Sequence, residues 1–165
     1  MSLRIYISGC FAGRLPNDVK SERERARNLI RKNGMHEIDP AAAEQTIWGR
    51  RKISKKMSRS FMTIMVKNDK YLIRRSDVLL VITGDIISDG TYKEVDYAQR
   101  IEIPVVMVAP KRHSGELMGW TNILVGKSNI FPTMEKAVSF IKRKYVKAIA
   151  QHKKAFNQAV RKRKK

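Results

Sequence analysis

The sequence is poor in cysteine, in acidic side chains and in long apolar stretches. Its 165 residues include a single cysteine, Cys10, so the chain cannot form an internal disulfide, and we expect a reducing, cytoplasmic location. No apolar stretch approaches the roughly 20 residues that span a bilayer, and Gly9 and Arg14 break the N-terminal segment early. We therefore expect neither a membrane span nor a signal peptide. The isolated Cys and His residues lack the spacing of metal ligands, so we expect no metal and no cofactor.

Acidic residues are also few relative to basic ones. There are 35 Lys and Arg against 15 Asp and Glu, which gives a net charge of +20. Residues 141–165 hold eleven of the basic residues and no acid, and residues 50–59 form a second basic block. Such patches attract phosphate-rich partners in a salt-dependent way. Two interpretations stay open for the tail: contact with nucleic acid or polyphosphate, and a solvated surface that keeps the protein soluble.

Residues 68–110 form the segment around which the rest of the chain is arranged. Residues 78–83 are an unbroken apolar run of the kind that forms a strand buried on both faces of a parallel sheet. Turn residues follow, Thr91 is predicted to open a helix, and residues 103–108 form a second buried strand. This strand, loop, helix, strand unit predicts an α/β fold whose ligand site lies at the carboxyl ends of the strands.

The remaining elements fit the same fold class. We predict strands at residues 3–8, 36–38 and 129–131, and helices from Asn17 or Asp18 to about Lys32, over residues 41–48, over residues 61–73, and after Thr133. The apolar stripe of the last helix continues at helical spacing into the basic tail. The length supports one domain, so we expect an α/β domain over residues 1–149 and a basic helical tail over residues 150–165.

The first loop is a candidate phosphate site. Residues 9–14 run from Gly9 through Phe11 to Arg14 between a predicted strand and a predicted helix. A glycine-punctuated loop before a helix N-terminus suits a phosphate group, with Arg14 as a charged clamp. The alternative is an ordinary turn that carries a surface arginine.

The segment Ser88-Asp89-Gly90-Thr91-Tyr92-Lys93-Glu94 is the candidate reactive centre. We expect the dipole of the predicted helix to keep Glu94 ionised, and an oriented carboxylate suits attack on an anomeric carbon. Purely structural interpretations are available as well. Thr91 and Glu94 have the spacing of a capping box, and Asp89-Gly90 is a common turn.

Five segments occur in order that resemble the nucleoside 2-deoxyribosyltransferase-like superfamily over residues 3–131. They are IYISG at residues 5–9, NDKYLIRRSDVLLV at 68–81, SDGTYKEVDYA at 88–98, IPVVMV at 103–108 and LMGW at 117–120. The resemblance implies a flavodoxin-like or Rossmann-like three-layer sandwich with a central parallel sheet. It also implies an enzyme that acts on a nucleoside or nucleotide.

The resemblance also implies a role for individual residues. Glu94 matches the nucleophile that forms a covalent deoxyribosyl intermediate, and Tyr6 matches the tyrosine that orients it. Asp69 matches an aspartate that transfers a proton to the leaving base, and Asp89 one that contacts the sugar or base. Asn129 matches an asparagine that reaches a neighbouring subunit's sugar, which implies a homo-oligomer, a dimer or higher. The remaining residues predicted to bind substrate are Gly9, Phe11, Arg14, Ser88 and Gly90.

Three functions remain open from the sequence. The first is transfer of deoxyribose between bases, and the second is hydrolysis of the N-glycosidic bond of a (deoxy)nucleoside 5′-monophosphate, which the arginine of residues 9–14 favours. The third is a non-catalytic protein that binds nucleic acid through its basic tail. The joint presence of Tyr6, Asp69, Asp89 and Glu94 argues against the third function.

Deletion of residues 150–165 should sharply reduce retention of the protein on immobilised DNA at low salt. The deletion removes seven Lys or Arg, and the salt dependence of binding falls with each phosphate that the protein no longer neutralises. The salt concentration that elutes each form from a DNA column measures the effect. Equal elution of the two forms would show that the tail is not the attachment site.

Overall fold

The computed structural model describes residues 2–9, 16–41, 59–83, 88–109 and 123–146. The strands are β1 (Arg4–Gly9), β2 (His36–Ile38), β3 (Val78–Ile82), β4 (Val105–Val108) and β5 (Ile130–Phe131). The helices are α1 (Pro16–Lys32), α2 (Arg59–Arg74), α3 (Asp89–Arg100) and α4 (Met134–Ile141). A 3₁₀ turn at Lys127–Asn129 precedes β5, and a π-helical turn at Lys142–Val146 follows α4.

All strand pairings in the described sheet are parallel. The strand order is β2-β1-β3-β4-β5, which is the order of flavodoxin-like doubly wound sheets. The register places Tyr6 beside Leu79 and Ser8 beside Val81. The predicted three-layer α/β fold is therefore confirmed, and its central strands end at a common edge.

Two apolar layers cover the two faces of the sheet because side chains alternate along each strand. Ile5 and Ile7 face the layer that includes residues of α1 and α4. Tyr6, Leu79 and Val81 face the other layer, which includes residues of α2 and α3. Every residue of β3 is buried, so this strand reads as a continuous apolar run rather than an alternating one.

Helix α1 ends where the Asn33-Gly34 pair predicts. Gly34 has a φ of +75°, and the N–H of Met35 donates to the carbonyl of Ile30 at 3.1 Å. This is the pattern in which a left-handed residue satisfies the last carbonyl groups of a helix. The turn feeds Met35 into the core and delivers the chain to β2.

Three sequence predictions about local structure are wrong. Helix α1 begins at Pro16, so neither Asn17 nor Asp18 is its N-cap. Helix α3 begins at Asp89 rather than at Thr91, because the Ser88 side chain caps the helix and accepts the N–H of Thr91 at 3.3 Å. Asn129 belongs to the 3₁₀ turn before β5, not to the strand itself. Thr133 does cap α4, as predicted, by accepting the N–H of Lys136.

Several predictions lie outside the described residues. They concern most of the helix at residues 41–48, the LMGW segment at 117–120, and the tail beyond residue 146, so the boundary at residues 149 and 150 stays a prediction. No helix among the described residues is both long enough and apolar enough to cross a bilayer.

Substitution of Gly9 by alanine should destabilise the end of β1. A Cβ at this position would lie 2.8 Å from the backbone oxygen of Ile82, which the neighbouring strand holds in place. We expect a loss of about 1–3 kcal/mol in the free energy of unfolding, measured by chemical denaturation.

Gly90→Ala is the matched control for this prediction. Its added Cβ would meet nothing closer than the Ser88 side chain at 3.7 Å, and it lies within the first turn of α3. We expect a neutral or slightly stabilising effect. Equal losses for the two variants would contradict the steric explanation.

Candidate active site

The carboxylate of Glu94 is bound by two hydroxyl groups of strand β1. Tyr6 Oη donates to Glu94 Oε1 at 2.8 Å, and the Ser8 hydroxyl donates to Glu94 Oε2. Tyr6 and Ser8 are two residues apart, so their side chains leave the strand on the same face, towards α3. Both donors are fully buried. Each oxygen of one carboxylate therefore has its own fixed hydrogen-bond donor.

This geometry corrects two expectations for Glu94. The capping-box interpretation is wrong because Ser88 is the N-cap, and the Glu94 carboxylate binds side chains of β1 instead. The expectation that the helix terminus keeps Glu94 ionised is also wrong. Since α3 begins at Asp89, Glu94 lies in the second turn, where the effect of the helix dipole has faded.

Burial dominates the protonation of Glu94. It raises the pKa of this carboxyl to about 7, against the hydrogen bonds from Ser8 and Tyr6, which favour the ionised form. The nearby Asp69 carboxyl adds to the rise, whereas the Arg23 guanidinium opposes it. Glu94 thus titrates near neutral pH, which suits proton transfer, and the ionised form that a nucleophile requires grows as pH rises.

Tyr6 remains a neutral donor at this site. Burial, followed by the charges of Glu94 and Asp69, raises the pKa of its phenol well above the ordinary value. The hydroxyl consequently keeps its proton over the whole physiological range. It orients Glu94 without competing for the negative charge.

Asp69 lies on α2 close enough to act on both Tyr6 and Glu94. It is partly buried, and this burial raises the pKa of its carboxyl, while the nearby Tyr6 phenol and the charge of Arg23 lower it. Two carboxyl groups and one phenol therefore meet between β1, α2 and α3. Burial makes the protonated form of each carboxyl more accessible than it is in water.

Of the other predicted residues, some lie in the first turn of α3 or at the end of β1, and some lie outside the described residues. Asp89 and Gly90 are exposed in the first turn of α3, and the Ser88 hydroxyl bonds to Thr91. Gly9 ends β1, close to the cluster. Phe11 and Arg14 lie outside the described residues.

Asn129 lies towards the far edge of the sheet. Its side-chain amide donates to the carbonyl of Val125 at 3.1 Å, directly before β5. Three inter-strand steps separate β5 from β1, about 14 Å at the usual strand spacing. Asn129 therefore lies near β5 rather than beside Tyr6 and Ser8 of β1, and its role towards a neighbouring subunit stays a prediction.

The sequence interpretation missed two residues, Ser8 and Arg23. Ser8 carried a usable signal, since it is a polar residue two positions after Tyr6 in an apolar strand. Arg23 carried none, because it is one of several arginines in α1. It is nonetheless almost fully buried, and its guanidinium acts on Glu94, Tyr6 and Asp69. Within the described residues, no group of three His, Cys, Asp or Glu is arranged to hold a metal ion.

Comparisons with known proteins agree with the fold. A family model described as "Domain of unknown function (DUF4406)" matches residues 3–107. None of the curated proteins matches the chain. A conserved protein from Enterococcus faecalis V583 is similar with a TM-score of 0.60 and 17% identity, over 87% of this chain and 99% of that one.

Two structures of enzymes share the fold. A 2-deoxyribosyltransferase from Bacillus psychrosaccharolyticus has a TM-score of 0.56 and 20% identity, over 82% of this chain and 90% of that one. A CMP N-glycosidase from Clostridium botulinum has a TM-score of 0.50 and 13% identity, over 84% and 96%. The resemblance noted in the sequence is thus confirmed at the level of the fold.

The native protein should become less stable as pH rises, and the Glu94→Gln variant should not show this fall. In the folded protein the pKa of Glu94 is about 7, above the ordinary glutamate pKa, so the protonated carboxyl stabilises the fold. This stabilisation is complete below the ordinary glutamate pKa and is lost as pH rises through 7. Between about pH 4.5 and 7.5, the free energy of unfolding of the native protein should fall by on the order of 2 kcal/mol relative to Glu94→Gln. Urea unfolding at each pH measures this difference.

Glu135→Gln is the control of opposite sign. Its exposed carboxylate accepts hydrogen bonds at the N-terminus of α4 and from Arg25, and these lower the pKa of the group. Its small contribution to stability should therefore be lost as pH falls. A native protein whose stability changes with pH in parallel with that of Glu94→Gln would contradict the burial of an ionisable Glu94.

Proposed function

This chain belongs to the DUF4406 family, and on that premise we propose that it is an enzyme cleaving the N-glycosidic bond of a 2′-deoxynucleoside. In this proposal the sugar forms a covalent intermediate with Glu94 and is then transferred to another base. The observation that carries the proposal is the Glu94 carboxylate, which two buried hydroxyls hold at the carboxyl end of a parallel sheet. Two enzymes whose names concern nucleoside or nucleotide glycosidic bonds share that fold.

Glu94 acts as the nucleophile in the first step. An oxygen of the ionised carboxylate bonds to C1′ while the bond from C1′ to the base nitrogen breaks, and the bonding pair leaves with the base. Tyr6 and Ser8 hold the carboxylate so that little rotational freedom is lost during the attack. With its pKa near 7, the carboxylate is ionised in about half of the molecules at neutral pH.

Asp69 supplies the proton that the leaving base needs. We assign this role to Asp69 because burial raises the pKa of its carboxyl, which favours the protonated form relative to an exposed aspartate. The proton passes to a base nitrogen as the glycosidic bond breaks, which leaves Asp69 ionised and the Glu94 oxygen esterified. In the second step an incoming base attacks C1′, releases Glu94 and returns its proton to Asp69.

A second candidate function uses the same residues with water as the acceptor. The shared fold of a CMP N-glycosidase favours this hydrolysis of a (deoxy)nucleoside 5′-monophosphate. In that case the loop at residues 9–14, with Phe11 and Arg14, would face the phosphate, and Ser88, Asp89 and Gly90 would line the sugar side.

We further propose that the enzyme is a cytoplasmic homo-oligomer. Asn129 precedes β5, three inter-strand steps from β1, and in this proposal it serves the site of a neighbouring subunit. A neighbouring subunit would then offer its own Asn129 to the sugar. A non-catalytic role in nucleic-acid binding would leave the burial of Glu94 unexplained, because taking a carboxyl out of water carries a desolvation cost.

Glu94→Ala and Glu94→Gln should reduce turnover of the correct substrate by at least about a thousandfold. The substrates to test are the 2′-deoxynucleosides and their 5′-monophosphates, each with and without a second free base, with products separated by chromatography. Base exchange identifies a transferase, and release of free base without exchange identifies a hydrolase. Mass spectrometry of the native protein under substrate should detect a sugar adduct that Glu94→Gln lacks.

Asp96→Asn is the matched control on the same helix. Asp96 is exposed and pairs with Arg100 at 3.0 Å, so its loss should leave turnover unchanged. Unchanged turnover in the Glu94 variants would remove the nucleophile from the proposal. Absence of turnover with every substrate in the native protein would favour the non-catalytic function.

A further inference from the structure

Strand β2 ends early and, among the described residues, leaves two carbonyl groups of β1 without a neighbouring strand on that side. The N–H of His36 donates to the carbonyl of Leu3, and β2 ends at Ile38, opposite Tyr6. Alternate carbonyls of a strand point to the same side, so those of Ile7 and Gly9 face the space beyond Ile38. These two residues flank Ser8, one of the two donors to Glu94.

The guanidinium of Arg23 fills this space. Arg23 Nη1 donates to the carbonyl of Ile7 and Nη2 to the carbonyl of Gly9, each at 3.2 Å. The planar fork of an arginine suits two acceptors at fixed separation, whereas a lysine offers only a point charge. Arg23, from α1, thus takes the position that further residues of β2 would occupy.

Asp39 fixes the guanidinium in turn. It follows β2 directly, and its Oδ1 lies 2.6 Å from Arg23 Nη1 and accepts the N–H of Ala41 at 3.0 Å. The side chains of Arg23 and Asp39 are only 7% and 2% exposed. A buried pair of this kind seldom adds net stability, so we looked for its role in the neighbouring site rather than in stability.

We propose that Arg23, held by Asp39, is a positioning residue for the Glu94 site. Arg23 takes the place of the missing end of β2 and so fixes the segment of β1 whose hydroxyls bind Glu94. It also places a buried positive charge beside the carboxyls of Glu94 and Asp69. The expected effect on turnover rests on the proposed function. The expected effect on the ionisation of Glu94 does not, because it follows from the hydrogen bonds and charges alone.

The charged and titratable described groups that act on Glu94 come from three packed elements. Tyr6 lies on β1, Asp69 on α2 and Arg23 on α1. Arg23 is the cation of this set, and it lowers the pKa of Glu94, Asp69 and Tyr6 alike. Removal of its charge should therefore make the ionised carboxylate harder to form.

The test is a titration of the Glu94 carboxyl by ¹³C NMR in glutamate-labelled protein, with the signal assigned by its loss in Glu94→Gln. Arg23→Gln should raise the pKa of Glu94 by about half a pH unit or more, because the carboxylate loses the favourable guanidinium charge. Asp39 keeps Arg27 as an ion-pair partner in this variant. The double variant Arg23→Gln/Asp39→Asn should show a smaller rise, because it removes the Asp39 charge as well. A folded Arg23→Gln that titrates like the native protein overturns the proposal, and if only the double variant folds, a Glu94 pKa at or below the native value overturns it.

Arg23→Lys and Arg25→Gln complete the design. Arg23→Lys keeps the charge but not the fork, so Glu94 should titrate as in the native protein while kcat falls about tenfold with KM nearly unchanged. Arg25 lies on the same helix in an exposed pair with Glu135, so Arg25→Gln should change neither quantity. If neither glutamine variant folds, native kcat in a folded Arg23→Lys overturns the proposal.

The two proposals fail in distinguishable ways. If the native protein turns over no nucleoside, the proposed function fails, but the NMR titration still decides the role of Arg23. If turnover depends on Glu94 and the folded Arg23 variants behave as native in both measurements, only the role of Arg23 fails.

Discussion

The hydrogen bonds from Tyr6 and Ser8 to Glu94 are the interaction on which the rest of the site depends. They join a helix to a strand across more than 80 positions of sequence, and both donors are buried. A carboxyl removed from water is costly unless its oxygens are bonded, so the two hydroxyls stabilise a group that burial alone would neutralise. The balance leaves Glu94 able to gain or lose its proton near neutral pH rather than fixed in one state. Asp69 and Arg23 then shift this balance in opposite directions.

The sheet supplies what this arrangement needs. Because β1 and β3 pair in parallel register, residues at their carboxyl ends lie at one edge, and the connection after β3 brings α3 back over β1. Two apolar layers fix the helices on either side, which leaves little room for Glu94 to move away from its donors. The site is thus a group of polar side chains within the otherwise apolar layer that includes residues of α2 and α3. Arg23 reaches β1 from α1, which belongs to the other layer.

Much of the fold was predictable, and the limits of prediction have physical causes. The buried run at residues 78–82, the stop at Asn33-Gly34 and the cap at Thr133 depend on local sequence, and each was found. The start of α3 was misplaced because Ser88 and Thr91 are both good N-caps, and only packing selects between them. Burial of Glu94, which reverses the expected direction of its pKa, depends on contacts with β1 that no local pattern encodes. Arg23 was missed for the same reason.

The short edge strands have a consequence for association between copies of the protein. The outer strands β2 and β5 have three and two residues, so each offers few free backbone groups to a strand from another molecule. Beyond Ile38, the side chain of Arg23 occupies the carbonyls that a foreign strand would otherwise bind. The described edges are therefore poorly suited to edge-to-edge pairing, and loss of the arginine would expose the carbonyls of Ile7 and Gly9 to a strand from another molecule.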